Sequence, residues 1–278
     1  MSAARAQDIG ELAEEISFRR FPDKHVDPIE IIKQCGITLS FNNYGEAFDG
    51  MLEHRSGRFH IYVNLARVGD KDGVRARFTL GHELGHYYLD DHRRALESGR
   101  SPAHKSICEY RSDATVEQEA DHFASNLLLP QSRFLAQAKR YAAGLPAILT
   151  LASYFKTSVT SAAIRYASLG ASPCAVIKWD DLAFGWKWLS RETFEARLFR
   201  TIESVEQLPV DCPTARALRG ETAPEKFFQG ATTAAAWYKS VAPDGARNAL
   251  LMEQAIALGQ YGVLTFLYPL DGKYGGVL

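Results

Sequence analysis

In the stretch FTLGHELGHYYLDDH, residues 78–92, His82 and His86 stand four apart, with Glu83 directly after the first. On a helix, residues four apart share a face, so both imidazoles can point at one ion. Glu83 lies about 100° around such a helix, within reach of a water on that ion without binding the ion itself. This is the H-E-x-x-H arrangement, in which a divalent metal acidifies a water and the glutamate takes its proton. The chemistry it implies is hydrolysis of a polarised bond. A surface helix with two incidental histidines would leave unexplained the FTL run leading in and the small Gly81 and Gly85, which let other groups approach closely.

Such a metal needs a third ligand. His92 has the spacing of H-E-x-x-H-x-x-G-x-x-H, where a glycine in a left-handed turn swings the third histidine back. Here that position is Leu89, for which positive φ is costly. A methionine turn is also required, and the methionines are Met1, Met51 and Met252. His92 therefore reads as a solvated residue among Asp90, Asp91, Arg93 and Arg94.

The second candidate stretch is VEQEADHFASNLLLP, where Glu117 and Asp121 share one helical face beside Ala120, Phe123, Ala124 and Leu127. Glu117 is expected to be the ligand, and Asp121 to hold the other nitrogen of a ligand histidine. Glu119 reads as solvent-facing, and His122 as satisfied or exposed. Glu97 and Glu109 are the remaining alternatives. Tyr87 or Tyr88 could stabilise an oxyanion, although core packing is the plainer reading. Arg75 and Arg77 could orient a substrate or be solvated charges. Two imidazoles and a carboxylate suit Zn2+, and also Mn2+ or Fe2+.

The elements that must position these residues are legible around them. Ile9, Leu12, Ala13 and Ile16 predict an amphipathic helix over 8–18. In HVDPIEIIKQCGITLSF, Asp27 can cap a helix that Pro28 opens and Gly36 ends, and a strand follows. Met51 to His54 and Arg58 to Asn64 predict two strands joined by a tight turn at Ser56-Gly57. The second of them could pair an extended substrate at its edge. Residues 90–113 read as polar and irregular, and 115–129 as a helix that Pro130 stops. A further helix is expected over 131–142. GLPAILTLASYFKTSVTSAAIRYASLG suggests two short helices around the break KTS. From about 173 the character changes, with strands in CAVIKWDDLAFGWKWLS and GQYGVLTFLYP.

Composition bounds the remainder. At 278 residues, length suggests two or three domains, and a formal net charge of −1 supplies no global attraction for nucleic acid or anionic membrane. No apolar run is long enough for a bilayer, and MSAARAQDIGELAEE lacks the apolar stretch of a signal peptide. Cys35, Cys108, Cys174 and Cys212 are far apart and fit reduced thiols. The expectation is a cytoplasmic protein without membrane contact. Trp179, Trp186, Trp188 and Trp237 point to an aromatic core or pocket in the C-terminal part.

Taken together, RARFTLGHELGHYYL and the following EQEADHFASNLLLP resemble the ImmA/IrrE family of intracellular zinc peptidases, and the likeness runs over roughly residues 8–140. The resemblance implies zinc on His82, His86 and Glu117 with Glu83 as general base, in a small gluzincin-like metallopeptidase domain with an antiparallel hairpin and a zinc helix. ASYFKTSVTSAAIRYASLG resembles the helix-turn-helix-like region that often follows, with Lys156 and Thr157 where glycine and valine are usual. IrrE-like members also carry a C-terminal, GAF-like sensor domain.

The expected architecture is α+β. Residues 1–140 would form the zinc metallopeptidase domain, 141–170 a helix-turn-helix-like helical region, and 171–278 a mixed α/β, strand-rich domain of GAF-like kind. The implied function is site-specific cleavage of a helix-turn-helix transcriptional repressor, switching on a stress or mobile-element response. The alternative is a metal-containing regulator that binds DNA or a repressor without peptidase turnover.

Overall fold

A computed structural model describes residues 1–99, 103–106, 115–180, 183–191, 208–223, 226–237 and 250–270. Cys108, Glu109 and the expected turn at 181–182 lie outside the described residues. The chain divides into two compact units, Met1–Phe134 with Ala152–Ser158, and Leu135–Leu151 with Val159–Leu278.

The first unit opens with α1 (Ala3–Arg20), whose N-terminus is capped by the Ser2 hydroxyl accepting from Arg5 N. It buries Ile9, Ala13 and Ile16. The next helix, α2 (Pro28–Gln34), is capped by the Asp27 carboxylate, and Gly36 leaves it at φ 68°. Four strands follow: β1 (Thr38–Asn42), β2 (Gly50–Arg55), β3 (Arg58–Asn64) and β4 (Ala103–Ser106). Ser56 and Gly57, at φ 53° and 74°, make the tight turn between β2 and β3.

The sheet order is β1-β3-β2-β4, with β1 parallel to β3 and β2 antiparallel to β3 and β4. This corrects one expectation: Arg58–Asn64 is an interior strand. Its two edges are taken by β1 and β2, so it has no free edge for an extended substrate. Hydrophobic alternation shows which side of a strand is buried but not which strand lies next to it.

After α3 (Leu65–Val68) comes α4 (Val74–Tyr88), then α5 (Asp90–Glu97) and, beyond β4, α6 (Thr115–Leu128). The expectation of an irregular 90–113 is thus corrected by α5 and β4. The charges of α5 resemble a loop, yet His92 and Leu96 are four apart and both buried. Helices α4 and α6 pack closely. A Cβ on Gly85 would stand 3.0 Å from the Ala120 backbone, and one on Gly81 3.3 Å from the Ala124 side chain. Leu80, Leu84, Phe123 and Leu127 join Leu52 and Ile61 of the sheet in one core.

The chain continues through α7 (Gln131–Ala138), α8 (Leu145–Phe155) and α9 (Val159–Ser168). Between α8 and α9, Lys156 takes the left-handed conformation at φ 53°. Lysine thus makes a turn in a conformation that glycine adopts most readily.

In the second unit, β5 (Ala175–Asp180), β6 (Ala183–Leu189), β7 (Phe228–Thr233), β8 (Leu250–Ala257) and β9 (Val263–Pro269) form an antiparallel sheet of order β6-β5-β9-β8-β7. The short helices α10 (Pro213–Leu218) and α11 (Ala234–Trp237) pack on it. Trp179 and Trp237 meet edge to face in the core, with ring centroids 6.5 Å apart. Trp188, by contrast, is exposed. Among the described residues, no helix is long and apolar enough to cross a membrane.

Candidate metal centre

The 3.6-residue period of α4 brings His82 and His86 onto one face, where their Nε2 atoms are 3.0 Å apart. Helix α6, held close by the glycines of α4, brings a carboxylate to the same point. Glu117 Oε2 lies 3.3 Å from His82 Nε2, and its Oε1 lies 3.5 Å from His86 Nε2. The three side chains offer ligand atoms within 4.8 Å of one another. Ligands about 2.0–2.2 Å from a tetrahedral zinc would stand roughly 3.3–3.6 Å apart, so the observed spacing is of the right size.

The backing of each imidazole differs. His82 Nδ1 is 2.8 Å from Asp121 Oδ1. His86 Nδ1 instead meets His92 Nδ1 at 3.0 Å. His92 Nε2 in turn lies 3.2 Å from Glu119 Oε2, which accepts from Arg5 Nη2 at 2.7 Å. Two expectations are corrected here, because neither His92 nor Glu119 is solvated; both are buried. The physical reason is Leu89, at φ −78° and ψ 113°. The chain leaves α4 through one extended residue and re-enters helix at once, which turns His92 inward behind His86. His122 is satisfied, its Nε2 lying 2.9 Å from Ala6 O.

With these positions in view, the sequence comparison gains its meaning. Residues 67–166 match the Peptidase_M78 family, described as IrrE N-terminal-like domain. Over these residues the chain resembles an IrrE N-terminal-like domain. That family is one of metallopeptidases, and the stretch matched holds His82, His86 and Glu117. No curated protein matches the chain. Among solved structures, the fold is similar to a Mycobacterium tuberculosis transcriptional regulator at 14% identity and a TM-score of 0.58, covering 98% of this chain and 81% of that one.

Electrostatics in the IrrE-like domain fit a cation. Burial alone would lower the His82 pKa, but its bonds to Asp121 and Glu117 and the charge of Glu83 raise it to about 10. Two imidazoles ringed by three carboxylates form a donor set suited to a divalent metal.

Sequence reasoning missed the support beneath Glu83. Its carboxylate lies against the backbone of Gly50, at the start of β2: a Cβ there would stand 2.5 Å from Glu83 Oε1 and 2.5 Å from Thr79 Cγ2. The preceding residue, Asp49, is fully buried and clamped by Arg67 Nε at 2.6 Å and Arg75 Nη2 at 2.9 Å. Burial would raise the Asp49 pKa, but the two guanidiniums hold it below the usual carboxylate range. In sequence, Asp49-Gly50 is indistinguishable from an ordinary turn pair.

Arg77 donates to Val26 O at 2.6 Å and to Lys156 O at 3.0 Å, so it ties α4 to two backbone segments. The Tyr88 hydroxyl lies 3.1 Å from Cys35 Sγ, and Tyr88 stacks on Phe123. Tyr87 stands edge-on to Phe59 with Arg93 over its ring. Burial raises the pKa of both tyrosines. Glu97, the other described alternative ligand, ends α5, its carboxylate 3.9 Å from Arg93 Nε.

Proposed function

We propose that the chain is a zinc-dependent endopeptidase that cuts a helix-turn-helix transcriptional repressor in the cytoplasm. The observation supporting it most directly is the convergence of His82 Nε2, His86 Nε2 and the Glu117 carboxylate beside a fully buried Glu83. A divalent metal on these three groups would polarise a peptide carbonyl and acidify a water. Glu83 would serve as the base, taking a proton from water and delivering it to the leaving nitrogen. Asp121 holds His82 Nδ1 and so keeps its Nε2 lone pair turned to the metal face. Gly50 leaves room for the Glu83 carboxylate, and the Asp49 clamp keeps that strand in place. We assign packing to Tyr87 and Tyr88, and anchoring of α4 to Arg77. Mn2+ or Fe2+ suits the same donors.

Residues 171–278 are proposed as a GAF-like sensor, a reading supported by a single antiparallel sheet with helices packed on it. Cys35 and Cys212 are free thiols, in keeping with a reducing compartment.

A second reading is regulation by binding without turnover. It is favoured by the fold likeness to a solved protein titled a transcriptional regulator. For DNA contact through 141–170 the supply of cations is thin: Arg165 is buried, leaving Lys156 exposed between α8 and α9. One experiment separates the readings. Zinc-loaded protein and its Glu83→Gln variant are incubated with a helix-turn-helix repressor and resolved on a gel. A defined fragment with the parent alone is expected. A repressor left whole by both, yet bound by both, would favour regulation by binding.

A further inference from the structure

The nitrogen of His86 that faces away from the metal face begins a chain of polar contacts through four helices. His86 Nδ1 on α4 meets His92 Nδ1 on α5, His92 Nε2 meets Glu119 Oε2 on α6, and Glu119 accepts from Arg5 on α1. Arg5 also lies 3.5 Å from the exposed Asp91 carboxylate. Burying such groups is costly unless each is satisfied, and His92 and Glu119 are both buried.

The chemistry at the outer end determines the direction of every bond. A guanidinium only donates and a carboxylate only accepts, so His92 must turn Nε2–H toward Glu119. In the neutral imidazole that leaves Nδ1 of His92 bare, facing His86 as an acceptor. His86 must then donate from Nδ1, and its lone pair falls on Nε2, the atom that faces His82 and Glu117.

We propose that His92, Glu119 and Arg5 form a positioning chain that holds His86 in the tautomer and ring orientation its Nε2 needs to bind metal. The inference rests on the metal reading above and deepens it. Asp121 does the same for His82 in one step; His86 is served in three. The N-terminal helix thereby becomes part of the metal site, through Arg5, although it contributes no ligand.

The test is zinc affinity of the full chain, measured by competition with a chromophoric chelator, with the melting temperature of the metal-free protein as a second readout. His92→Phe keeps a ring but removes the acceptor, and zinc affinity is expected to fall about 10–100-fold. His92→Gln offers a carbonyl that can accept from His86 Nδ1, so its loss stays below about 10-fold. A purely structural role would lower the metal-free melting temperature in both variants and leave zinc affinity unchanged, which would overturn the chain. Equal losses of affinity in Phe and Gln would overturn it as well. Should His92→Phe fail to fold, Glu119→Gln replaces it, with a loss of about 10-fold expected because an amide N–H frees His92 to turn its other tautomer toward His86. A parent protein that bound no zinc would instead overturn the metal reading itself.

Discussion

Glu83 on α4 and Glu253 on β8 are both fully buried, one in each unit, and their surroundings answer them differently. Glu83 lies against Gly50 and Thr79, one residue from His82, in a region whose other side chains gather donors for a cation. Glu253 takes a backbone N–H from Thr214 at 2.8 Å. Around it, Thr214 and Thr265 share a hydroxyl contact and the Trp179 indole donates to Thr265. Burial pushes the Glu253 carboxyl above its ordinary range. Burial of a carboxylate is therefore no mark of chemistry by itself. What distinguishes Glu83 is the company of two imidazoles and a second carboxylate facing one point.

The largest expected difference between the two glutamates is in peptide cleavage. Glu83→Gln should lower the cleavage rate by about 10²–10⁴-fold, the range for losing a general base, with zinc content unchanged. Glu253→Gln should leave that rate within about two-fold, because the amide oxygen can still accept the Thr214 N–H. Equal losses in both, read in the same assay, would dissolve the contrast.

Next in size is Gly50→Ala. The added Cβ has no room beside the Glu83 carboxylate and Thr79, so a cost of about 1–3 kcal/mol is expected from overpacking. Urea unfolding measures it, and cleavage should fall with it because Glu83 must shift. For the second unit, Glu253→Ala should cost about 1–3 kcal/mol by stranding the Thr214 N–H, with no change in cleavage.

A smaller effect is the pH dependence of stability. A folded carboxyl with a raised pKa binds more protons than the unfolded one, so stability falls as pH rises from about 4.5 toward the raised value. The Glu253→Gln variant should show a shallower fall over that window in thermal melts; an unchanged slope would count against a raised Glu253 pKa. The smallest effect belongs to Tyr88→Phe, which removes the contact to Cys35. A loss of about 0.5–1 kcal/mol is expected, with cleavage unaffected.

Legibility in the sequence followed the range of the interaction. His82, Glu83 and His86 could be aligned from spacing alone, because one helical turn places them. Glu117 and Asp121 were legible as a pair on one face for the same reason. The Asp27 cap, Pro28 and Gly36 were readable because capping is local, and α2 has those bounds. His92 was misread because its neighbours are charged, and nothing in a run of Asp and Arg reveals which residue a bend at Leu89 turns inward. Arg5 and Glu119 are 114 residues apart, and no local pattern joins them. The interior place of β3 was equally hidden, since β1 pairs with it in parallel across the hairpin.

The sequence by itself determined the helix that carries the two imidazoles, the glutamate between them and the small residues that let α6 approach, because each depends on contacts within a few residues. Only the tertiary structure decided what stands behind them. Asp121 behind His82, the His92–Glu119–Arg5 chain behind His86 and Gly50 against Glu83 are meetings between segments far apart in the chain. Such pairings are selected by the packing of whole helices and strands, and residue type sets only which bonds form once they meet.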